Sequence, residues 1–273
     1  MTKKRSPTSP RPIGWKISRT QIEDWLAEAN RHLERQNYPR ALEVSKKAQG
    51  YLPPNAPERA DFYGIMTTAY GMLQQFEESY QAGCKAIEIM PGEPLFWYNR
   101  AIAGRYTLRT GQSLRDIEQA LKLENNGAMP SKYAKELATA HQLVQNELTL
   151  RQPGFTIDAL IEQQDWFQKG LQYAAEHRWE DAAGANRRSI AMDDCLPQPQ
   201  GNLGLCLIML GRLDEAEQAL RRALEIKPDY EFAHQNLKTL ADVRKTGILP
   251  EYGGAKSPFE GKKLKLSLTI KRE

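Results

Sequence analysis

Five windows of this chain, beginning at Ile22, Ala60, Pro94, Gln163 and Pro197, share one 34-residue frame. The twentieth place of each window holds Ala41, Ser79, Ser113, Ala182 and Ala216, and the twenty-seventh holds Ala48, Ala86, Ala120, Ser189 and Ala223. The eighth holds Ala29, Thr67, Ala101, Gly170 and Gly204, while the fourth carries Trp25, Tyr63, Trp97 and Trp166 and, in the last window only, Gln200. Small residues at fixed steps let two helices approach closely, and a large side chain set against a small one closes the seam of a helical hairpin. Each window ends near a breaker or turn residue, namely Pro53, Pro91, Asn125, Asp194 and Pro228, so each unit reads as two helices and a stop.

The last window reads Asn202, Leu203, Gly204, Leu207, Gly211, Leu213, Ala216, Leu220, Ala223 and Pro228, and in this it resembles the tetratricopeptide (TPR) repeat. The resemblance covers roughly residues 22–127 and 163–230. Departures stand at Glu28 and Lys169, where the family prefers Leu, at Gly104, where it prefers Tyr, and at Asn186, where it prefers an aromatic. The resemblance implies an all-α fold, a right-handed α-α superhelix (TPR solenoid), here with an inserted helix and a C-terminal extended tail.

An array of this kind buries apolar surface between neighbouring repeats, so one solenoid is expected rather than two globular domains. The sequence has no stretch long and apolar enough to span a membrane and no apolar run after its basic N-terminus, so a soluble, cytoplasmic protein is expected. Cys84, Cys195 and Cys206 form no C-x-x-C pair and read as reduced thiols. The net charge of +4 belongs to the ends. Residues 1–20 and 256–273 hold 12 of the 38 basic side chains and 2 of the 34 acidic ones, which leaves the body between them net −6. Nucleic-acid binding needs clustered Lys and Arg on phosphates, so the acidic body argues against it. Binding of nucleic acid or of an acidic partner through the two basic tails stays open as an alternative.

Residues 1–17 read as a flexible basic arm, and Ser18-x-x-Gln21 or Thr20-x-x-Glu23 offers a capping box for the first helix. Residues 18–127 hold units one to three, with four extra residues, 56–59, lengthening the turn between the first two. Residues 128–162 hold a helix from about Ser131 to Leu148 that has no partner helix of its own, a break at Pro153-Gly154, and Thr156 as the next cap. Units four and five fill 163–230, a capping helix fills 231–246, and 247–273 is a linker with a candidate strand. In that strand Leu264, Leu266, Leu268 and Ile270 alternate with polar residues. It has three open fates: pairing near Ile13–Ile17, adding to another chain's sheet edge, or staying unpaired. The second would make this chain a self-assembling or complex-building subunit, including a homo-oligomer.

Chemistry is sparse. His32, His141, His177 and His234 are scattered, no phosphate-binding or nucleophile-elbow pattern occurs, and Asp193-Asp194 sits where a turn belongs. No enzymatic activity, cofactor or metal is expected. The resemblance points instead to a concave groove lined by places 2, 5, 9, 12 and 13 of each unit, which in the family receives a peptide or helix from a partner protein. Family members that grip a C-terminal carboxylate use a Lys, Asn, Asn, Lys and Arg clamp. Here place 5 is Leu26, Gly64, Tyr98, Phe167 or Gly201, never Lys, so that clamp is absent. The groove is expected to be largely apolar, with Tyr98, Ile102, Arg105, Tyr106, Phe167, Leu171, Asn202 and Leu205 as its partner-binding residues. Apolar side chains at such places have three open fates: cover by the chain's own inserted helix or N-terminal arm, cover by a partner, or simple exposure.

Overall fold

A computed structural model describes residues 17–124 and 131–250, and among these there are twelve helices and no strand. Most of the basic arm and the alternating segment 264–270 lie outside the described residues. The helices pair as the frame demands. All fifteen small residues at places 8, 20 and 27 are buried, most of them with no exposed surface at all. Where place 20 is serine, its hydroxyl donates across the hairpin to the carbonyl at place 8: Ser79 to Thr67 at 2.7 Å and Ser113 to Ala101 at 2.8 Å.

The turn inside each hairpin is the same turn five times over. Place 15 takes positive φ at Gln36 (58°), Gln74 (61°), Leu108 (61°), His177 (58°) and Gly211 (73°). The next residue's N–H then reaches back to the carbonyl five residues earlier, at 2.8–2.9 Å in each case, from Asn37 to His32 through to Arg212 to Leu207. This is the Schellman closure of a first helix. Only the last hairpin uses glycine there, so four side chains accept a left-handed conformation costing about 1–2 kcal/mol each to keep the geometry.

Two compact units result, one ending at Pro91 and one beginning at Gly92. The repeat frame runs through that boundary without a gap, so periodicity alone does not reveal it. In the first unit, α1 (Arg19–Glu34) pairs with α2 (Tyr38–Tyr51) and α3 (Glu58–Met72) with α4 (Phe76–Ile89). The Ser18 hydroxyl accepts the Gln21 N–H at 3.1 Å, the first of the two expected caps. Trp25, Leu33, Val44, Leu52, Phe62 and Ile65 form the core. The four extra residues do more than lengthen a turn. Arg59 donates to the Gln49 and Leu52 carbonyls, and Gln49 donates back to the Arg59 carbonyl at 3.0 Å, which staples the end of α2 to the start of α3.

In the second unit α5 (Pro94–Tyr106) pairs with α6 (Thr110–Glu124), α8 (Ile157–Ala175) with α9 (Trp179–Met192), and α10 (Pro197–Met209) with α11 (Leu213–Ile226). The unpaired helix α7 (Ser131–Thr149) lies against α6 and α8, and α12 (Glu231–Thr246) covers α10 and α11. Thr156 caps α8 by accepting the Ala159 N–H at 3.1 Å. Leu114 of α6, Ala140 and Val144 of α7 and Leu160 of α8 share one core. Asp193 and Asp194 serve the turn between α9 and α10. Asp193 accepts the Gln152 N–H, and Asp194 accepts from Gln200 and Arg222.

The closeness of the seams sets opposite expectations for two glycines. A Cβ on Gly204 would lie 2.5 Å from Cγ of the buried Leu220, whereas one on Gly184 would meet nothing within 4 Å. For Gly204→Ala, overpacking at about 1–3 kcal/mol outweighs the helix gain of roughly 0.5–1 kcal/mol, so its urea midpoint should fall. Gly184→Ala carries only the gain, and its midpoint should rise.

Candidate interaction face

On each of α5, α8 and α10 some groove places are buried and others half-buried. On α5, Tyr98 is 6% exposed and Ile102 is 7% exposed. The Tyr98 ring meets Tyr133 of α7 edge-on at 4.9 Å between centroids. Arg105 donates to Glu136 of α7 at 2.6 Å, stacks over Tyr106 at 5.0 Å, and also donates to the Tyr106 hydroxyl at 3.3 Å. The inserted helix is therefore what covers this stretch of the groove, and the Arg105 guanidinium already has its carboxylate.

Burial between α5 and α7 holds the Tyr98 phenol up at about 12, with Glu136 pushing it further up and Arg105 pulling it down. Tyr133 is raised by burial and by Glu124, and Tyr230, beside α12, is pushed up to about 12 by burial.

On α8 and α10 the groove places are mixed as they are on α5, where Leu95, Arg105 and Tyr106 are half-buried. Phe167 is 9% exposed, and Leu171, Asn202, Leu205 and Met209 stay half-buried. Gly201 is closed off, since a Cβ there would lie 2.8 Å from the Tyr230 ring. Gln164 is spent on structure: its amide accepts from Gly111 N–H at 3.2 Å and donates to the Thr110 hydroxyl at 2.7 Å, which ties α8 to the start of α6. The structure thus gathers Tyr98, Ile102, Arg105 and Tyr106 on α5 and sets Phe167, Leu171, Asn202 and Leu205 on α8 and α10.

Where α7 ends, a cavity of about 70 Å³ opens beside Phe167. Leu108, Phe167, Leu196 and Pro199 give it apolar walls, and Glu147, Arg151, Gln163 and Gln198 supply polar ones. The Arg151 side chain is wholly buried. It donates to the Glu147 carbonyl, to the Glu147 carboxylate at 2.9 Å and to Gln163 Oε1 at 2.9 Å, and its guanidinium lies 5.4 Å from the Phe155 ring centre. Gln163 in turn donates to the carbonyls of Ser189 and Asp193. Two residues of this lining each carry one fully buried side-chain atom without a hydrogen-bond partner, Arg151 Nη2 and Gln198 Oε1.

Arg151 and Glu147 escape a reading of repeat places, because the insertion has none. The available signal is local: a Glu and an Arg four apart at the end of a helix, just before Pro153-Gly154. Among the described residues no group of His, Cys, Asp or Glu side chains converges as metal ligands, and no helix is long and apolar enough to cross a membrane.

An acid held protonated above its ordinary value of about 10 stabilises the fold fully below that pH, and the advantage is lost as pH rises toward the folded value. Stability to urea should therefore decline between pH 10 and about 12, where the Tyr98 phenol is held. Tyr98→Phe should make that decline shallower, and an unchanged slope would show that Tyr98 is not responsible.

Residues 198–230 match the family model described as Tetratricopeptide repeat. No curated protein matches the sequence. Among solved structures, the chain is similar to the TPR2AB domain of yeast Sti1 in its complex with pHSP90, at 14% identity over 83% of this chain and 85% of that one, with a TM-score of 0.39. It is similar to yeast Tom70 at 13% identity over 83% and 66%, with a TM-score of 0.41. A third similarity is to TTC0263, a thermophilic TPR protein of Thermus thermophilus, at 18% identity over 81% and 98%, with a TM-score of 0.32.

Proposed function

We propose that this chain, a tetratricopeptide-repeat protein by the match across residues 198–230, is a non-enzymatic scaffold that binds a partner protein or peptide. The bound segment lies on the groove face of α8 and α10. The observation that carries this reading is the set of half-buried apolar side chains on α8 and α10: Leu171, Leu205 and Met209 keep part of their apolar surface in water, while on α5 Tyr98 is packed on α7 and Arg105 is paired with Glu136. Apolar groups left partly wet on a repeat face gain from being covered, and a partner that buries them gains about 25 cal/mol per Å².

The partner face is centred on Leu171, Asn202 and Leu205, with Phe167 buried among them, while on α5 Tyr98 and Arg105 hold α7 and Ile102 and Tyr106 lie beside them. A cytoplasmic setting fits this role. Burial pushes the thiols of Cys195 and Cys206 up to about 11 and about 12, which keeps both protonated and unreactive.

The test is affinity purification with quantitative mass spectrometry on the intact chain beside Leu171→Glu/Leu205→Glu. Placing two charges on an apolar contact should reduce recovery of the specific partner roughly tenfold or more, with helical circular dichroism unchanged. Equal recovery by the two proteins would refute the assignment.

A further inference from the structure

The groove places of the first unit differ in charge from those of the second. On α1 and α3 they include Glu23, Glu34 and Asp61 and no basic residue, whereas α8 and α10 have no charged residue at a groove place and α5 has only Arg105. Arg19 answers Glu23 at 3.0 Å, while Glu34 is exposed and Asp61 half-buried. Between these acids the α3 face is flat. Its middle places are Gly64, Thr68 and Gly71, all buried, so no side chain longer than threonine stands in the way of a backbone lying close. Half-buried Leu26 and Met72 flank that floor with apolar surface.

Such a face suits an extended segment with apolar side chains on one side and cations on the other. The chain carries one. Leu264, Leu266, Leu268 and Ile270 fall on a single side of an extended backbone. Residues 261–272 hold five basic side chains and no acidic one, a charge opposite to that of the first unit's groove. On α8 and α10 the same cations would find no charge to answer. The N-terminal arm is also basic, but Pro7, Pro10 and Pro12 interrupt it, and Ile17 at its end already packs in the core of the first unit. Residues 251–263 form a tether that extends to about 45 Å, so the segment is not confined to the neighbourhood of α12.

We propose that residues 264–270 bind as an extended segment in the acidic groove of α1 and α3 of the same chain, an internal ligand that holds this groove closed to other basic segments. The partner face on α8 and α10 is separate, and the two assignments stand or fall independently.

The experiment titrates a fluorescein-labelled peptide of residues 260–273 into the full chain and into its variant Leu266→Glu/Leu268→Glu, whose own segment no longer seats, and reads anisotropy. A tethered segment reaches a roughly millimolar effective concentration. The peptide should therefore bind the variant saturably and the unaltered chain about tenfold more weakly or worse. Adding Glu34→Lys/Asp61→Lys to the variant should weaken binding roughly tenfold, through like charges brought together, whereas Glu77→Lys/Glu78→Lys, off the groove, should not. Glu34→Lys alone, at an exposed residue, should act in the same direction and serves if the double reversal loses helical circular dichroism. No binding to the variant, equal binding to both chains, indifference to the Glu34 and Asp61 reversals, or binding of a peptide of residues 1–16 in place of the C-terminal one would each overturn the proposal. So would light scattering that shows the unaltered chain as a dimer and Leu266→Glu/Leu268→Glu as a monomer, which would put the segment on a second copy.

Discussion

Each hairpin among the described residues closes on small residues at three fixed places, and in two of the hairpins a larger side chain fills the room that a Cβ would need, Leu220 against Gly204 and Asn186 against Gly170. The eighth, twentieth and twenty-seventh places are Ala, Gly, Ser or Thr throughout, and all are buried. That contact fixes how near the helices come, as the 2.5 Å clearance at Gly204 shows. Dispersion and apolar burial across the seam then outweigh the strain of four non-glycine residues held at positive φ in the turns. Because each first helix ends in the same Schellman closure, the same places of each first helix within a compact unit face the same way, and a groove face follows from the hairpin geometry.

The insertion changes what that face can do. Helix α7 brings Tyr133 and Glu136 onto Tyr98 and Arg105, so these two groove side chains are engaged within the chain. At its far end the same segment sinks Arg151 into the protein. A buried guanidinium is tolerated only when paired and hydrogen-bonded, which Glu147 and Gln163 accomplish for all but one of its nitrogens. One added helix thus both engages two groove side chains and brings in a buried cation that the repeat alone would lack.

Much of this was legible in the sequence. The small residues announce the seams, Ser18 and Thr156 announce the starts of α1 and α8, and the segment from Ser131 announces α7. Tyr98 and Arg105 were legible as groove residues, with cover by the inserted helix left open beside cover by a partner, because covering depends on where an unpaired helix lands. Repeat periodicity does not say that. The stapling role of Arg59 was hidden for a similar reason, since its bonds to the Gln49 and Leu52 carbonyls leave no pattern of partner residues. The positive φ at Gln36, Gln74, Leu108 and His177 was likewise masked, since glycine marks that place only in the last window. The division at Pro91 leaves the frame unbroken and so has no sequence mark at all.

A partner on α8 and α10 leaves α7 seated on α5, and hydrogen–deuterium exchange of the chain with and without its captured partner reads this directly. Added protection is expected on peptides covering 164–175 and 198–209, with those covering 94–106 and 131–149 unchanged. Deprotection of 131–149 together with new protection at 94–106 would mean that the partner displaces α7, and would contradict this arrangement.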